Sequence, residues 1–476
     1  RFSVFGFRSS SRRFVSIHLQ CEFPLVKIME IAHCCRVIVL IVSYVLPMVY
    51  SQDCNPTQVH IVGSIDASTS MTISYLTKSS KCASTVFYGV TKDDLSMEYT
   101  TKDDSFSYTS NTTKFGPYTS DYIHHVTLNN LIPDTNYFYK IANSTKTYDF
   151  VLPPPTTINY SDFPLKFALV GDLGQTNNSR LTVAHITENN PHEFAAILHA
   201  GDMSYADAEQ PRWDSYFEMI EAVAATTPWY VSAGNHEIEI NDQTYEVFTA
   251  YQSRYKMPNL VPASIQNASP DQFTGNPTPS VFQGHYENGN SYYKTEIGPA
   301  TIIFLNSYTD TNLDSPQYIW LENTLASVDR VITPWLFVLF HCPFYNSFND
   351  HQNEIQEVTM MNSMENLFIN NRVNAIFSGH VHGYERTKQV AYGELDDTAP
   401  MYVIIGDGGN REGHADKFLS DTPPVWSAYR NGEVFGLGSL TINSKNSATW
   451  SWIKNVNETS LFASGDTVEL ENSYFL

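Results

Sequence analysis

Six times between residues 167 and 409 a short apolar run stops abruptly at glycine, aspartate, asparagine or histidine. The runs are FALVGDLG (167–174), AAILHAGDMSY (195–205), PWYVSAGNHE (228–237), PWLFVLFHCP (334–343), VNAIFSGHVHG (373–383) and YVIIGDGG (402–409). Several apolar side chains in succession, without polar alternation, need cover on both faces, which is the situation of a buried strand. Helical stretches separate some of them. In SPQYIWLENTLASV (315–328), Tyr318, Leu321, Leu325 and Val328 share one helical face. Strands alternating with helices predict an α/β domain. Its polar groups gather where the strands end, the edge at which such sheets bind ligands. Later, EVFGLGSLTIN (433–443) and SATWSWIKN (447–455) alternate like half-buried strands and predict the closing strands of a second sheet.

Upstream the texture differs. Between Val59 and Val151, MTISYLT (71–77), ASTVFYG (83–89) and NYFYKIA (136–142) read as short strands set among polar stretches, the pattern of an all-β sandwich. LIPDTNYFY (131–139) resembles the tyrosine-corner stretch of fibronectin type III-like domains. There a tyrosine hydroxyl, here that of Tyr137, ties a loop to its own backbone. LPPPTT (152–157) is a stiff proline linker and a natural boundary.

Residues 1–28 are basic, serine-rich and free of motifs, and this reading places the start of the protein at Met29. From there Arg36 precedes an apolar run from Val37 to Leu46, with Val49 and Ser51 beyond it. That is the pattern of a secretory signal cleaved near Ser51–Gln52 rather than of a buried helix, and it is too short for a membrane span. Six Asn-X-Ser/Thr sequons suit that route: Asn111, Asn143, Asn159, Asn177, Asn267 and Asn457. The destination expected is extracellular or cell wall, with lysosome or vacuole also allowed. Cys21, Cys34 and Cys35 fall in the removed segment, which leaves Cys54 and Cys82 free to pair in the first domain and Cys342 over. From Gln52 onward the chain carries 22 basic and 48 acidic side chains, a net charge of −26, which leaves no basic surplus for nucleic acid.

Collected, the strand ends supply Asp172, Asp202, Tyr205, Asn235, His236, His341, His380 and His382. Singly, a Gly-Asp turn or an Asn-His pair is an ordinary turn or cap. Together they exceed the three protein ligands of a catalytic zinc. They suit two metals sharing one carboxylate, which can clamp both oxygens of an in-line phosphoryl displacement. Asp407 in GDGGN (406–410) imitates the Gly-Asp motifs but reads as part of a glycine turn, and it is not assigned to the metals.

The order GDLG, GDMSY, GNHE, VLFH, GHVH resembles the purple acid phosphatases, a branch of the calcineurin-like metallophosphoesterases. The proline-linked sandwich in front resembles their large plant-type two-domain members. The likeness covers nearly everything after the signal. Two positions distinguish it from other metallophosphoesterases: Gly174 stands where a histidine usually follows the first aspartate, and Tyr205 stands where a second aspartate usually lies. The resemblance implies that Asp172, Tyr205 and His382 hold one Fe³⁺ per subunit. Asn235, His341 and His380 would hold a divalent ion, and Asp202 would bridge the two. Nitrogen and oxygen ligation does not choose among Zn²⁺, Mn²⁺ and Fe²⁺. A phenolate is a hard anion that favours Fe³⁺ and gives such centres their colour.

The same resemblance implies a catalytic His236 that protonates the leaving alkoxide, and a catalytic His351 facing the substrate. Asn235 and Asp350 are expected beside these two at the phosphate. The reaction implied is attack by a metal-bound hydroxide on a phosphate monoester, without a phosphoenzyme. In HCPFYNSFNDHQNE (341–354), plant-type members place two adjacent histidines where Asp350 and His351 stand here. The Asp350 carboxylate either faces the pocket, where its charge opposes phosphate, or turns to solvent.

The expected plan is therefore a leader (1–51), a fibronectin type III-like β-sandwich (52–155), a linker (156–165) and a catalytic domain (166–476). The last is α/β, a β-sandwich core flanked by helices, of metallophosphoesterase type. The expected partners are small phosphate esters, with neither nucleic acid nor a membrane span and with a homodimer allowed. A phosphodiesterase or nucleotide pyrophosphatase on the same centre is the alternative. A non-catalytic iron-binding or cell-surface interaction protein is the second, which the intact ligand set and His236 oppose.

Overall fold

The computed structural model describes residues 53–156, 163–187, 192–269, 279–282, 284–455 and 463–475. The expected leader, the sequons at Asn159 and Asn457, and Cys21, Cys34 and Cys35 lie outside the described residues.

The first hundred described residues form two facing antiparallel sheets. Thr57–Gly63, Met71–Thr77 and Tyr122–Leu128 make one. Met97–Thr100, Thr85–Gly89, Asn136–Ile141 and Tyr148–Val151 make the other. Val59, Ile61, Ile73, Tyr75 and Val126 meet Val86, Tyr139, Ile141 and Phe150 in a shared core. The period-two pattern decides which side chains do so: along Asn136–Ile141 every second residue is buried. The Tyr137 hydroxyl accepts a hydrogen bond from the Ile132 amide at 3.1 Å, the backbone tie expected of a tyrosine corner. Cys54 and Cys82 are joined in a disulfide, while Cys342 is a buried free thiol.

The sandwich sits on the rest of the chain through a buried cation. Arg254, fully buried at the end of the short helix Thr249–Arg254, donates to Gln58 Oε1, Tyr108 OH, Tyr118 OH and Asp214 Oδ1 at 2.8–2.9 Å. Each partner accepts, so the buried guanidinium has its charge paired with Asp214 and four of its five donors met.

Beyond it two larger sheets stack. Leu165–Val170, Ala196–His199 and Trp229–Val231 run parallel in a six-stranded sheet. Ala300–Phe304, Trp335–Leu339, Ala375–Ser378 and Met401–Ile405 run parallel in an eight-stranded one. The six motif-bearing runs thus divide three and three between the sheets. The expected closing strands, Gly436–Ile442 and Ser447–Lys454, extend the sheet of the first three runs; Leu169 pairs antiparallel with Gly438. Phe167, Leu169, Trp450 and Trp452 from one sheet and Phe337, Leu339, Phe377 and Val403 from the other share the central core. The alternate residues Leu336, Val338, Phe340 and Ile376 point outward, against Leu321, Leu325, Met360, Met364 and Phe368. These last belong to the helices Pro316–Ser327 and Ile355–Asn370. Cover on both faces explains the uninterrupted apolar runs. The first helix begins where Ser315 Oγ accepts from the Tyr318 amide at 3.1 Å, ahead of Pro316 at its first position.

Candidate active site

Stacking the two sheets brings the carboxyl ends of five strands to one place. Asp172 follows Leu165–Val170, Asp202 and Tyr205 follow Ala196–His199, and Asn235 follows Trp229–Val231. From the other sheet, His341 follows Trp335–Leu339, and His380 and His382 follow Ala375–Ser378. The chain turns sharply at these points. Asp172, Asp202, Tyr205 and His380 all have left-handed φ values between 50° and 70°. Such conformations cost about 1–3 kcal/mol each and persist only where the surroundings fix them. The neighbouring glycines have a steric reason. A Cβ at Gly201 (φ +85°) would lie 2.4 Å from His341 Nδ1, and one at Gly379 would lie 2.3 Å from Asp172 Oδ2. Backbone bonds knit the turns together: Asp172 N to Gly201 O at 3.0 Å, and Gly379 N to His341 O at 3.0 Å. Across the sheets, His380 N donates to Asp172 Oδ2 at 2.9 Å.

The side chains fall into two adjoining groups. In one, the Tyr205 hydroxyl donates to Asp172 Oδ1 at 3.2 Å and lies 3.0 Å from His382 Nε2, which is 3.4 Å from Asp172 Oδ1. In the other, one potential ligand atom from each of Asp202, His341 and His380 lies within 4.8 Å of the rest. His341 Nε2 joins the groups, 3.1 Å from Asp202 Oδ2 and 3.9 Å from Asp172 Oδ1. Asn235 opens the helical turn Asn235–Glu237, and its Oδ1 accepts from the Tyr308 hydroxyl at 3.1 Å.

These residues fit metal ions. His341 Nδ1 donates to the Ala200 carbonyl at 2.7 Å and so turns Nε2 toward the carboxylates; burial opposes a proton on this ring, but Asp202 and Asp172 outweigh it and raise its pKa to about 9, so Nε2 is a place for positive charge, a proton or a metal ion. That Nε2 is fully buried and faces Asp202 Oδ2 at 3.1 Å, an ion pair when the ring is protonated and two donor atoms beside one another when it is not. Asp202 meets two opposing effects. Burial resists its ionisation, but His341 and His236 outweigh it and hold the carboxyl well below its usual range. Burial, with Asp172 and Asp202 nearby, pushes the Tyr205 phenol well above its usual range. A phenolate here therefore requires a strongly charged cation beside it. Carboxylates, imidazoles and a phenol suit hard to borderline ions.

His236 lies at the mouth. Its amide donates to Asp202 Oδ1 at 2.9 Å, and its ring packs on Tyr205 with centroids 4.1 Å apart. Nδ1 contacts Asp207 Oδ1, while Nε2 faces Asp202 Oδ2 at 3.8 Å and Glu412 Oε2 at 3.7 Å. Burial opposes its protonation, but Asp202, Asp207 and Glu412 prevail and raise its pKa well above that of a free imidazole. His351, half-buried, packs against His380 with ring centroids 3.8 Å apart and the rings tilted by 38°. Asp350 is exposed, and its carbonyl accepts from Asn346 Nδ2 at 2.8 Å.

Four acidic residues that the sequence reading did not include shape the site. Glu354 spans His351 Nδ1 at 2.8 Å and His380 Nε2 at 2.9 Å. Burial works against its ionisation, and the two histidines overcome that and depress its pKa. Its only sequence signal is its place three residues after His351, just before an α-helix. Glu237, the last letter of GNHE, accepts from the amides of Asp202, Met203 and Gly234 at 2.8–2.9 Å and braces the turns that carry Asp202 and Asn235. Asp207 and Glu412 flank His236. Asp407, which the sequence left out of the metal ligands, accepts from Trp452 Nε1 at 2.6 Å. The sequon asparagines among the described residues, Asn111, Asn143, Asn177 and Asn267, are all exposed.

Comparison with known proteins gives a consistent family. Residues 165–384 match the model for calcineurin-like phosphoesterases, residues 399–462 that for iron/zinc purple acid phosphatase-like protein C, and residues 56–152 that for the purple acid phosphatase N-terminal domain. Purple acid phosphatase 18 of Arabidopsis thaliana is 37% identical over 400 residues, covering 84% of this chain and 81% of the relative. Fe(3+)-Zn(2+) purple acid phosphatase 12 of the same plant is 34% identical over 440 residues, covering 88% and 85%. In fold, the chain is similar to a purple acid phosphatase from yellow lupin (Lupinus luteus) seeds, with a TM-score of 0.68 at 20% identity over 88% of this chain and 74% of the other.

Proposed function

This chain belongs to the purple acid phosphatases, enzymes that hydrolyse phosphate esters on a metal centre, and from that premise we propose that it is a secreted acid phosphatase for phosphate monoesters with a binuclear Fe³⁺–M²⁺ site. The observation that carries the reading is the convergence of two ligand groups on His341 Nε2, a buried nitrogen 3.1 Å from Asp202 Oδ2 and 3.9 Å from Asp172 Oδ1 whose ring is held by Nδ1 on the Ala200 carbonyl. Asp172, Tyr205 and His382 would hold the Fe³⁺, with Asn235, His341 and His380 holding the divalent ion and Asp202 placed between. When bound, the ions supply Lewis acidity for the phosphoryl group and lower the pKa of a water nucleophile. Zn²⁺ is the divalent ion printed in one relative's name, and the donor set here accepts it.

The chain's own residues do the rest. His236 stands beside Asp202 with Nε2 at the open side, where it can give its proton to the departing oxygen. Asp207 accepts from Nδ1 and, with Asp202 and Glu412, favours the imidazolium, so that Nε2 carries the second, transferable proton. Glu354 orients His351 toward the same mouth. We assign the phosphate contacts to Asn235, His236 and His351; Asp350, being exposed, approaches only from the rim. Residues 52–155 form the appended sandwich and 166–476 the catalytic domain in this proposal. Secretion is supported by the Cys54–Cys82 disulfide and the exposed sequons.

Metal analysis with a substrate panel tests this reading. About one iron and one divalent ion per chain is expected, with 4-nitrophenyl phosphate cleaved far faster at acidic pH than bis(4-nitrophenyl) phosphate. Preference for the diester would favour the phosphodiesterase reading instead.

A further inference from the structure

The segment after Met401–Ile405 reaches the mouth of the site and touches the residue that holds His236. Asp207 divides its carboxylate between two partners: Oδ1 goes to His236 Nδ1 and Oδ2 to Arg411 Nη2. The main chain at Asp207 is already fixed. Asp207 and Ala208 have φ values of 51° and 68°, the Ala208 amide donates to the buried Glu239 Oε1 at 2.8 Å, and Arg212 Nε donates to the Tyr205 carbonyl at 3.0 Å. A fixed Cα still leaves the carboxylate free to rotate about its own side-chain bonds. Among the described residues, the second contact on that carboxylate comes from Arg411.

Arg411 itself rises from a platform tied to the metal-facing loop. Asn410 N donates to the Asp172 carbonyl at 3.2 Å, Gly408 N to the Gly171 carbonyl at 3.1 Å, and Glu412 N to Asn410 Oδ1 at 2.8 Å. The contact chain therefore runs from the Asp172 loop through Arg411 and Asp207 to the His236 ring. On the other side Glu412 offers Nε2 a competing acceptor at 3.7 Å. With its Nδ1 anchor released, the ring has an alternative that points its proton away from substrate.

We propose that Arg411 is a positioning residue for the reaction: through Asp207 it fixes the direction in which His236 presents its proton to the leaving group. The proposal rests on the reading of His236 as general acid. It differs from a general structural role in three respects. The loss should appear in kcat rather than KM. It should grow with the basicity of the leaving group. It should vanish once His236 is absent, because residues acting through one group are not additive.

The test uses the full-length, metal-loaded enzyme with Arg411→Ala, Arg411→Lys, His236→Ala and the double variant, assayed on 4-nitrophenyl phosphate and on an alkyl phosphate. Iron and divalent-ion content and the melting curve are measured for each. Misplacement of a reacting group costs up to about 10²-fold. Arg411→Ala is therefore expected to lose roughly that much in kcat on the alkyl ester and clearly less on the aryl ester, with both metals retained. Arg411→Lys, which keeps a cation within reach of Asp207, should recover part of the loss. In the His236→Ala background Arg411→Ala should add nothing. Equal losses on both esters, a further loss in that background, or unchanged turnover in Arg411→Ala would overturn the inference. If His236→Ala itself shows no selectivity for the alkyl ester, the reading of His236 fails and the inference with it. Alkyl-selective loss in His236→Ala but not in Arg411→Ala overturns the inference alone.

Discussion

At the scale of single residues, the proposed function separates holding metals from moving protons. His236 touches Asp202 and Asp207 but is not in either ligand group. His236→Ala is therefore expected to keep both metals and to slow turnover by about 10²–10⁴-fold, the usual size of general acid–base help. Metal analysis beside kinetics checks this; loss of a metal would place His236 among the ligands. Asp407 offers a separate test through pH. Burial pushes its carboxyl up to about 7, from about 3.9 in an unfolded chain. Between those values the folded form keeps a proton that the unfolded form releases, so stability falls as pH rises. Below that window Asp407 contributes no slope, and above it the penalty is complete. Asp407→Asn keeps an acceptor for Trp452 Nε1 and removes the titration. Relative to the wild type it should gain stability progressively from about pH 4 to 7, by at most about 4 kcal/mol, in urea unfolding. A constant difference across that range would mean that Asp407 titrates normally.

At the scale of elements, what the sequence made legible and what it hid have one physical cause. The turns after FALV, AAIL and their fellows could be read because a buried apolar run can end only where polar groups find partners, and Gly201 and Gly379 leave no room for a Cβ. The tyrosine corner was legible because its spacing is local: Tyr137 reaches Ile132 only five residues away. The division of the six runs between two sheets was not, since a strand covered on both faces reads the same in either. Glu354, Asp207 and Arg411 escaped notice for a related reason. Acidic and basic residues in polar loops are common, and only the stacking of the sheets brings residue 411 to residue 207. The Arg254 junction was equally invisible, because its partners Gln58, Tyr108, Tyr118 and Asp214 are scattered along the chain. Arg254→Ala leaves those acceptors without their donor and should cost roughly 3 kcal/mol or more in urea unfolding. A change below about 0.5 kcal/mol, the size of an ordinary surface substitution, would show that the junction carries little of the stability.

At the scale of the whole molecule, the proposed function has two stacked sheets hold one binuclear centre between the ends of their strands, with the Asp202 carboxylate serving both halves of it. Asp202→Asn should consequently deplete both metals together, whereas Asn235→Ala should deplete mainly the divalent ion. Retention of both ions and normal turnover in Asp202→Asn would mean that another group bridges. In the proposed function the phenol at position 205 is present to hold ferric iron. That role is tested most directly by the visible spectrum of iron-loaded, oxidised protein alongside Tyr205→Phe. A broad visible band is expected in the wild type, with loss or a large shift of it in the variant at comparable iron content. A colourless wild type with its full complement of oxidised iron, or an unchanged band in Tyr205→Phe, would contradict the assignment.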